Sequence, residues 1–246
     1  MAALNVIAVL LPERCLIMVY ELNQAKRLWD NVISNRTYNL EAPDKLVMDR
    51  MEMLKQEKVR NVVDIGCGLG RHVNLLSQYG YSVLGIDISN SALQSTRDSV
   101  MFPSRTHLAM GNISSLPIKS DQFCLALVWR MLHLNTKSQI ELGLKEINRI
   151  LRTNGILLCS VRSISNSLFF DAKESGEEVE PNTFVMKSKS INGLLYHFFS
   201  LEEVEKIFSK WFNIVSIEEQ ELEHTGYTVN IDSHKNMFWV IQAQKK

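Results

Sequence analysis

Three glycines at alternating positions, Gly66, Gly68 and Gly70, punctuate Val62-Val-Asp-Ile-Gly-Cys-Gly-Leu-Gly-Arg-His72. They separate a short apolar run from an amphipathic one, where bare backbone and a helix N-terminus can meet a ligand. The dinucleotide fingerprint is G-x-G-x-x-G, whose last glycine packs helix on strand. Here that position is Arg71, which suits a pyrophosphate turn badly. Asp87 lies 17 residues beyond Gly70, in Gly85-Ile-Asp-Ile-Ser89. A carboxylate at the end of a second strand can accept both ribose hydroxyls of an adenosine. The competing role, capping the next helix, falls more naturally to Ser89. A second group of chemically able residues follows a later apolar run, as Trp129-Arg130-Met131-Leu132-His133. A third, Tyr196-His197-Phe198-Phe199, lies in the C-terminal third.

These residues need elements to hold them. Val62–Ile65 reads as a buried parallel strand, and Val73–Tyr79 as a helix that Gly80 stops. Ser82–Ile86 is a second strand, after which Ser89 caps a helix over Ala92–Val100. Thr106–Met110, Phe123–Val128 and Gly155–Val161 are further strands. Thr136-x-x-Gln139 forms a capping box, and Ile140, Leu144, Ile147 and Leu151 mark one helix face. Strands alternating with helices imply right-handed crossovers and a parallel sheet. After Ser163 the rhythm changes to an acidic run, Glu174–Glu180, and the aromatic cluster. Ser200-x-x-Glu203 then opens a helix through a second capping box, and Ile214–Glu221 and Phe238–Ala243 read as a strand pair. Leu22–Leu54 is helical and amphipathic, with a break at Pro43. The expected organisation is an apolar N-terminal extension (1–17, with Met18 as an alternative start), then one domain over 18–246. That domain carries a helical cover (about 22–54) and an insertion or lid (about 163–200).

With Gly111-Asn-Ile-Ser-Ser-Leu-Pro117, Asp121-Gln-Phe-Cys-Leu125 and Leu144–Gly155 added to the glycine loop and Asp87, the chain resembles the class I S-adenosylmethionine-dependent methyltransferases from about Trp29 onward. The resemblance implies an α/β, Rossmann-like fold: a seven-stranded, mostly parallel sheet with one antiparallel strand and helices on both faces. It implies S-adenosyl-L-methionine as cofactor. Asp64, Gly66, Cys67, Gly68 and Gly70 would hold the methionine moiety, with Asp64 orienting its amino group. Asp87 would bind the ribose, Ile88 and Ile113 the faces of adenine, Asn112 its edge, and Trp129 would lie near the sulfonium. Each has a plainer role: Ile88, Ile113 and Trp129 as core, Asp64 as a pin for the loop. Gly70-Arg71-His72, Leu28-Trp29-Asp30 and the aromatic stretch give a narrower likeness to the tellurite-resistance methyltransferases. The sequence departs from the class at Asn112 and Cys124, where aspartate is usual, and at Thr153-Asn154-Gly155, where Pro-Gly-Gly is frequent.

Methyl transfer from sulfur is an in-line displacement, so alignment and exclusion of water carry most of the catalysis. A base is needed only if the acceptor loses a proton, and His133 is the candidate, with solvation the alternative. Arg71, Arg130, Tyr196, His197 and Tyr38 are candidate acceptor-binding residues, although Arg71 could equally pair with a surface carboxylate and the two phenylalanines could anchor a lid. No Asn/Asp-Pro-Pro-aromatic segment follows the fourth strand, as it does in amino-methylating nucleic-acid enzymes of this class. A small-molecule acceptor is therefore expected. A non-catalytic binding module with the same fold is the alternative, and an NAD enzyme is disfavoured by the lack of a Tyr-x-x-x-Lys pair.

The 246 residues carry 27 Lys+Arg against 27 Asp+Glu, which argues against a dedicated nucleic-acid binder. The four cysteines are scattered, without C-x-x-C or ligand spacing, so neither a metal site nor a disulfide framework is expected. The apolar N-terminal run is too short to span a bilayer. A cytoplasmic monomer or homodimer without membrane attachment is the expectation.

Overall fold

Val62–Ile65, the apolar run before the glycines, lies at the centre of a sheet and is wholly buried. The computed structural model describes residues 13–34, 42–54, 60–188, 191–222 and 235–246. In it β1 (Asn61–Ile65) lies between β2 (Ser82–Asp87) and β4 (Phe123–Trp129), parallel to both. β3 (Thr106–Met110) flanks β2 and β5 (Leu151–Arg162) flanks β4, again in parallel. β10 (Met237–Lys245) runs antiparallel to both β5 and β9 (Phe212–Glu221). The order is β3-β2-β1-β4-β5-β10-β9, the expected seven strands with β10 as the antiparallel one. From β1 the chain turns toward β2, and from β4 toward β5. The carboxyl ends of β1 and β4 therefore open a crevice at the point where strand order reverses.

Local chemistry sets most boundaries. α3 (Arg71–Gln78) is followed by Gly80 in the left-handed region, φ 93°. The Ser89 hydroxyl accepts from Ala92 N and starts α4 (Asn90–Ser99). Thr136 and Gln139 exchange both capping-box bonds at the head of α5 (Lys137–Ile150). Its Ile140, Leu144 and Ile147 are buried against the sheet. Leu151, expected on that helix face, is instead the first residue of β5, which begins four residues before Gly155. Asn154 takes a left-handed φ of 64° inside that irregular start. Ser200 caps α7 (Leu201–Phe208), but only half of the expected box forms. Glu203 points outward instead, paired with Lys137 Nζ at 3.1 Å and 3.2 Å from His197 Nε2.

The insertion is a structured layer. α6 (Ser167–Ser175) precedes a small antiparallel sheet of β6 (Glu177–Glu180), β7 (Thr183–Val185) and β8 (Leu195–His197). Phe169, Phe184, Tyr196 and Phe198 form its core. α1 (Glu13–Ser34) packs Leu28, Trp29 and Val32 on that core. It runs unbroken past Met18. α2 (Lys45–Leu54) buries Val47 and Met51 against the main sheet's other cluster.

Candidate cofactor and acceptor site

The loop after β1 folds back on the end of β2. Gly66 N and Cys67 N both donate to Ile86 O, at 2.8 and 3.0 Å. All three glycines have positive φ: 76°, 54° and 84°. A Cβ on Gly66 would stand 2.4 Å from Met131, and one on Gly70 2.5 Å from Thr96. Gly66 and Gly68 line the cavity at the crevice, whereas Gly70 packs on α4 and lets the chain enter α3. Asp87 fastens the loop from below, its Oδ2 accepting from Gly68 N at 2.9 Å and its Oδ1 from Ser89 N at 2.8 Å. Each oxygen keeps a second lone pair, and the residue lines the cavity.

Asp64 lies beneath the loop at 2% exposure, and its Oδ2 is buried without a hydrogen-bond partner among the described residues. Burial, reinforced by the charge of Asp87 and only partly offset by Arg71, pushes its carboxyl up to about 7. Burial and the same two carboxylates raise the Cys67 thiol well above its usual range, so it is a packing group rather than a nucleophile. Ile88, Asn112 and Ile113 line the cavity beyond Asp87. Asn112 Oδ1 accepts from Ser114 N at 2.9 Å, which shapes the turn and leaves one lone pair. Ile113 is buried on one side against Gly143.

At the end of β4 two side chains share one carboxylate that the motifs do not mark. Asp44, just before α2, accepts from Arg130 Nη2 at 2.7 Å and Trp129 Nε1 at 3.1 Å through the same oxygen. Its backbone N donates to His72 Nε2 at 3.3 Å. The Asp44 and Arg130 side chains are 8% and 11% exposed, so this is a buried ion pair. Burial and the charges of Arg71 and Arg162 bring the Arg130 guanidinium down to about 10, with Asp44 opposing them. Arg130 has a left-handed φ of 56°, uncommon for such a residue and found where neighbours over-determine the backbone. Its N–H donates to Ser160 Oγ at 2.9 Å.

His133, 1% exposed in the short turn Leu132–Leu134, also lines the cavity. Burial, then the charges of Arg162 and Arg130, push its pKa well below the usual histidine value. Its Nδ1 is buried with no hydrogen-bond partner among the described residues. Tyr196 lines the cavity with its ring 5.8 Å from that of His133. Arg71 is there as well and donates to Ala42 O at 3.4 Å. His197 faces away, bonded to Thr183 Oγ1 at 2.8 Å and set on Glu203, and is absent from the lining. Tyr38 lies outside the described residues. Besides Asp44, the structure adds Asp30, Arg162 and Asn166. Asp30 on α1 accepts from Ser89 Oγ at 2.7 Å and Ser91 N at 3.2 Å. Arg162 ends β5, and Asn166 caps α6. Among the described residues no cluster suits a metal ion, and no helix is long and apolar enough to cross a membrane.

Residues 62–155 match the methyltransferase-domain family. The chain is similar to an uncharacterized methyltransferase of Synechocystis, 29% identical over 135 residues, 54% of this chain and 62% of that protein. It is similar to the malonyl-[acyl-carrier protein] O-methyltransferase of Salmonella typhimurium, 27% identical over 107 residues, 44% of this chain and 41% of that one. It thus spans less than two thirds of these curated relatives. A solved S-adenosylmethionine-dependent methyltransferase of Methanosarcina mazei superposes with a TM-score of 0.67 at 22% identity, covering 83% of this chain and 99% of that one. The N-methyltransferase NodS of Bradyrhizobium japonicum, solved with S-adenosyl-L-homocysteine, gives 0.61 at 13% identity, covering 88% and 98%. Residues 62–155 thus match a methyltransferase-domain model, and the fold is the Rossmann-like one of those solved structures. S-adenosyl-L-methionine is the cofactor of that class, and this site fits it: the glycine loop and Asp87 line one cavity, and the orphaned carboxylate of Asp64 is buried at the end of β1, next to that loop but outside the lining.

Proposed function

We propose that this chain binds S-adenosyl-L-methionine and transfers its methyl group to a small-molecule acceptor. The observation that carries the reading is the unpartnered Asp64 Oδ2 beneath the Gly66–Gly68 loop. A buried carboxylate without a partner is costly, and a cationic amino group is the natural one. Asp64 and the backbone of Gly66–Gly68 would hold the amino-acid end. Asp87 would take the ribose hydroxyls on its remaining lone pairs, and Ile88, Asn112 and Ile113 would border the adenine. When bound, the cofactor supplies a methyl group on positively charged sulfur, which passes to an acceptor lone pair as the C–S electron pair returns to sulfur. Trp129, fixed by Asp44, and Met131, set on Gly66, narrow the space between the cofactor loop and the acceptor half and keep water out. His133 is held neutral, with Nδ1 able to receive a proton if the acceptor has one to lose. His197 is a positioning residue for β8, joined to Thr183 and Glu203.

The insertion forms the acceptor-side wall of a single domain. The narrower likeness to tellurite-resistance methyltransferases is part of this reading, with Trp29, Arg71 and Tyr196 of its motif residues lining the cavity. Cys67, Cys124 and Cys159 are free thiols, in keeping with a cytoplasmic protein. A monomer or homodimer without nucleic-acid or membrane partners fits the neutral charge balance. Calorimetric titration with S-adenosylmethionine, S-adenosylhomocysteine and NAD, on wild type and Asp87→Ala, tests the proposal. Micromolar binding of the sulfur nucleotides alone, weakened in the variant, is expected. Binding of NAD alone would hand the site to an oxidoreductase. Tight nucleotide binding with no methyl transfer to any of a broad acceptor panel would identify a binding module.

A further inference from the structure

The half of the cavity beyond Trp129 has a charge of its own. Arg71, Arg130 and Arg162 all line it, from the start of α3, the residue after β4 and the end of β5. Arg130 and Arg162 converge on one ring: their guanidinium carbons stand 5.4 and 4.8 Å from the Phe238 centroid. The Arg162 guanidinium also covers Tyr196, at 5.2 Å, and its Nη1 donates to Asn236 Oδ1 at 3.1 Å. Lys235 adds a fourth cation to the lining. Against them stand Asp44, behind Arg130, and Asp171, the one lining carboxylate besides Asp87 among the described residues. A concave, partly apolar wall focuses the positive field on whatever enters. His133 lies among these groups, its ring 5.6 Å from Phe238, with a buried Nδ1 unengaged among the described residues. The remaining surface is apolar, from Trp29, Leu134, Leu168 and Ile191.

We propose that the acceptor is an organic anion, with a carboxylate or phosphate head received by Arg162 and Arg130 and an apolar body set toward Trp29 and Leu168. This rests on the methyl-transfer reading for the word acceptor, but the anion preference of the wall is independent of it. Guanidinium groups suit planar or tetrahedral oxyanions because their donors match two oxygens at once. The mixed lining excludes a bare inorganic ion as the best ligand, since it would leave the apolar surface unfilled.

The test uses benzoate, phenyl phosphate and neutral benzamide as probes, titrated calorimetrically with and without saturating S-adenosylhomocysteine. Benzoate or phenyl phosphate should bind at least about tenfold more tightly than benzamide, and which anion leads identifies the head group. Arg162→Gln should remove that preference, Arg162→Lys should keep part of it, and both should leave S-adenosylhomocysteine affinity unchanged. If Arg162→Gln does not fold, Lys235→Gln provides the same comparison at the fourth lining cation. Equal binding of benzamide, no anion binding at millimolar concentration, or an undiminished preference in the glutamine variant overturns the proposal. Failure of S-adenosylhomocysteine to bind, with the anion preference intact, counts against methyl transfer and leaves the anion site standing.

Discussion

Replacing Asp64 by asparagine should change how the protein responds to pH more than it changes the fold. The buried carboxyl is pushed up to about 7, while an unfolded aspartate titrates near 3.9, about three units lower. Between those values the unfolded chain releases a proton that the folded chain keeps, so stability falls as pH rises. The contribution is fully present below about pH 4 and is lost by about pH 7, roughly 4 kcal/mol in all. Other groups titrate in the same range, so the informative quantity is the difference between wild type and Asp64→Asn. Urea unfolding at pH 5, 6, 7 and 8 should show the variant gaining on wild type by about 1.4 kcal/mol per unit up to 7, then running parallel. Binding should mirror this. If the ligand's amino group needs the charged carboxylate, S-adenosylhomocysteine affinity in wild type should fall about tenfold per unit below pH 7. In Asp64→Asn it should be weak and flat. Unfolding curves separated by a constant gap would show that Asp64 does not titrate in this window. PH-independent binding in wild type would remove it from the ligand site.

Three further outcomes can be measured directly. Asp87→Ala should weaken S-adenosylhomocysteine by about 1–3 kcal/mol, read by calorimetry, and equal affinities would exclude it from the site. Asp44→Ala removes the buried carboxylate that Arg130 Nη2 and Trp129 Nε1 share and should cost about 3–5 kcal/mol of unfolding free energy; a loss under about 1 kcal/mol would mean the pair behaves as an exposed one. His133 is held neutral by burial and two arginines, so once an acceptor is known the rate profile should lack an inflection from it near pH 6.5. His133→Ala should lower turnover while S-adenosylhomocysteine affinity stays unchanged, and a rate equal to wild type would retire it.

The half of the cavity around the glycine loop and Asp87 was legible because its signals are contiguous. Val62–Gly70 combines a buried strand with glycines whose spacing requires a turn, and Asp87 follows directly from where the second strand ends. The acceptor half is assembled from distant segments. Asp44 meets Arg130 across 86 positions and Asp30 meets Ser89 across 59, and no local pattern announces such pairs. Asp44 has the look of an ordinary residue before a helix, and Arg162 of a strand terminus. The insertion's sheet was hidden because β6, β7 and β8 hold only four, three and three residues, and β6 is mostly glutamate. Its strands form because Phe184, Tyr196 and Phe198 need a common face to bury. The start of β5 was misplaced for a related reason: Asn154 takes a left-handed turn inside a strand that continues on both sides of it.

Asp30 ties α1 to the first turn of α4 next to Asp87, and Trp29 and Ile33 of the same helix form part of the cavity wall. This wall is held by a few polar contacts, each with a net value of about 1 kcal/mol, and by packing on the insertion. On the proposed reading, a nucleotide seated at Asp87 is roofed by a removable helix, and its residence time is set by how often that helix lifts. The same lifting opens the anion-binding half, because Trp29 borders both.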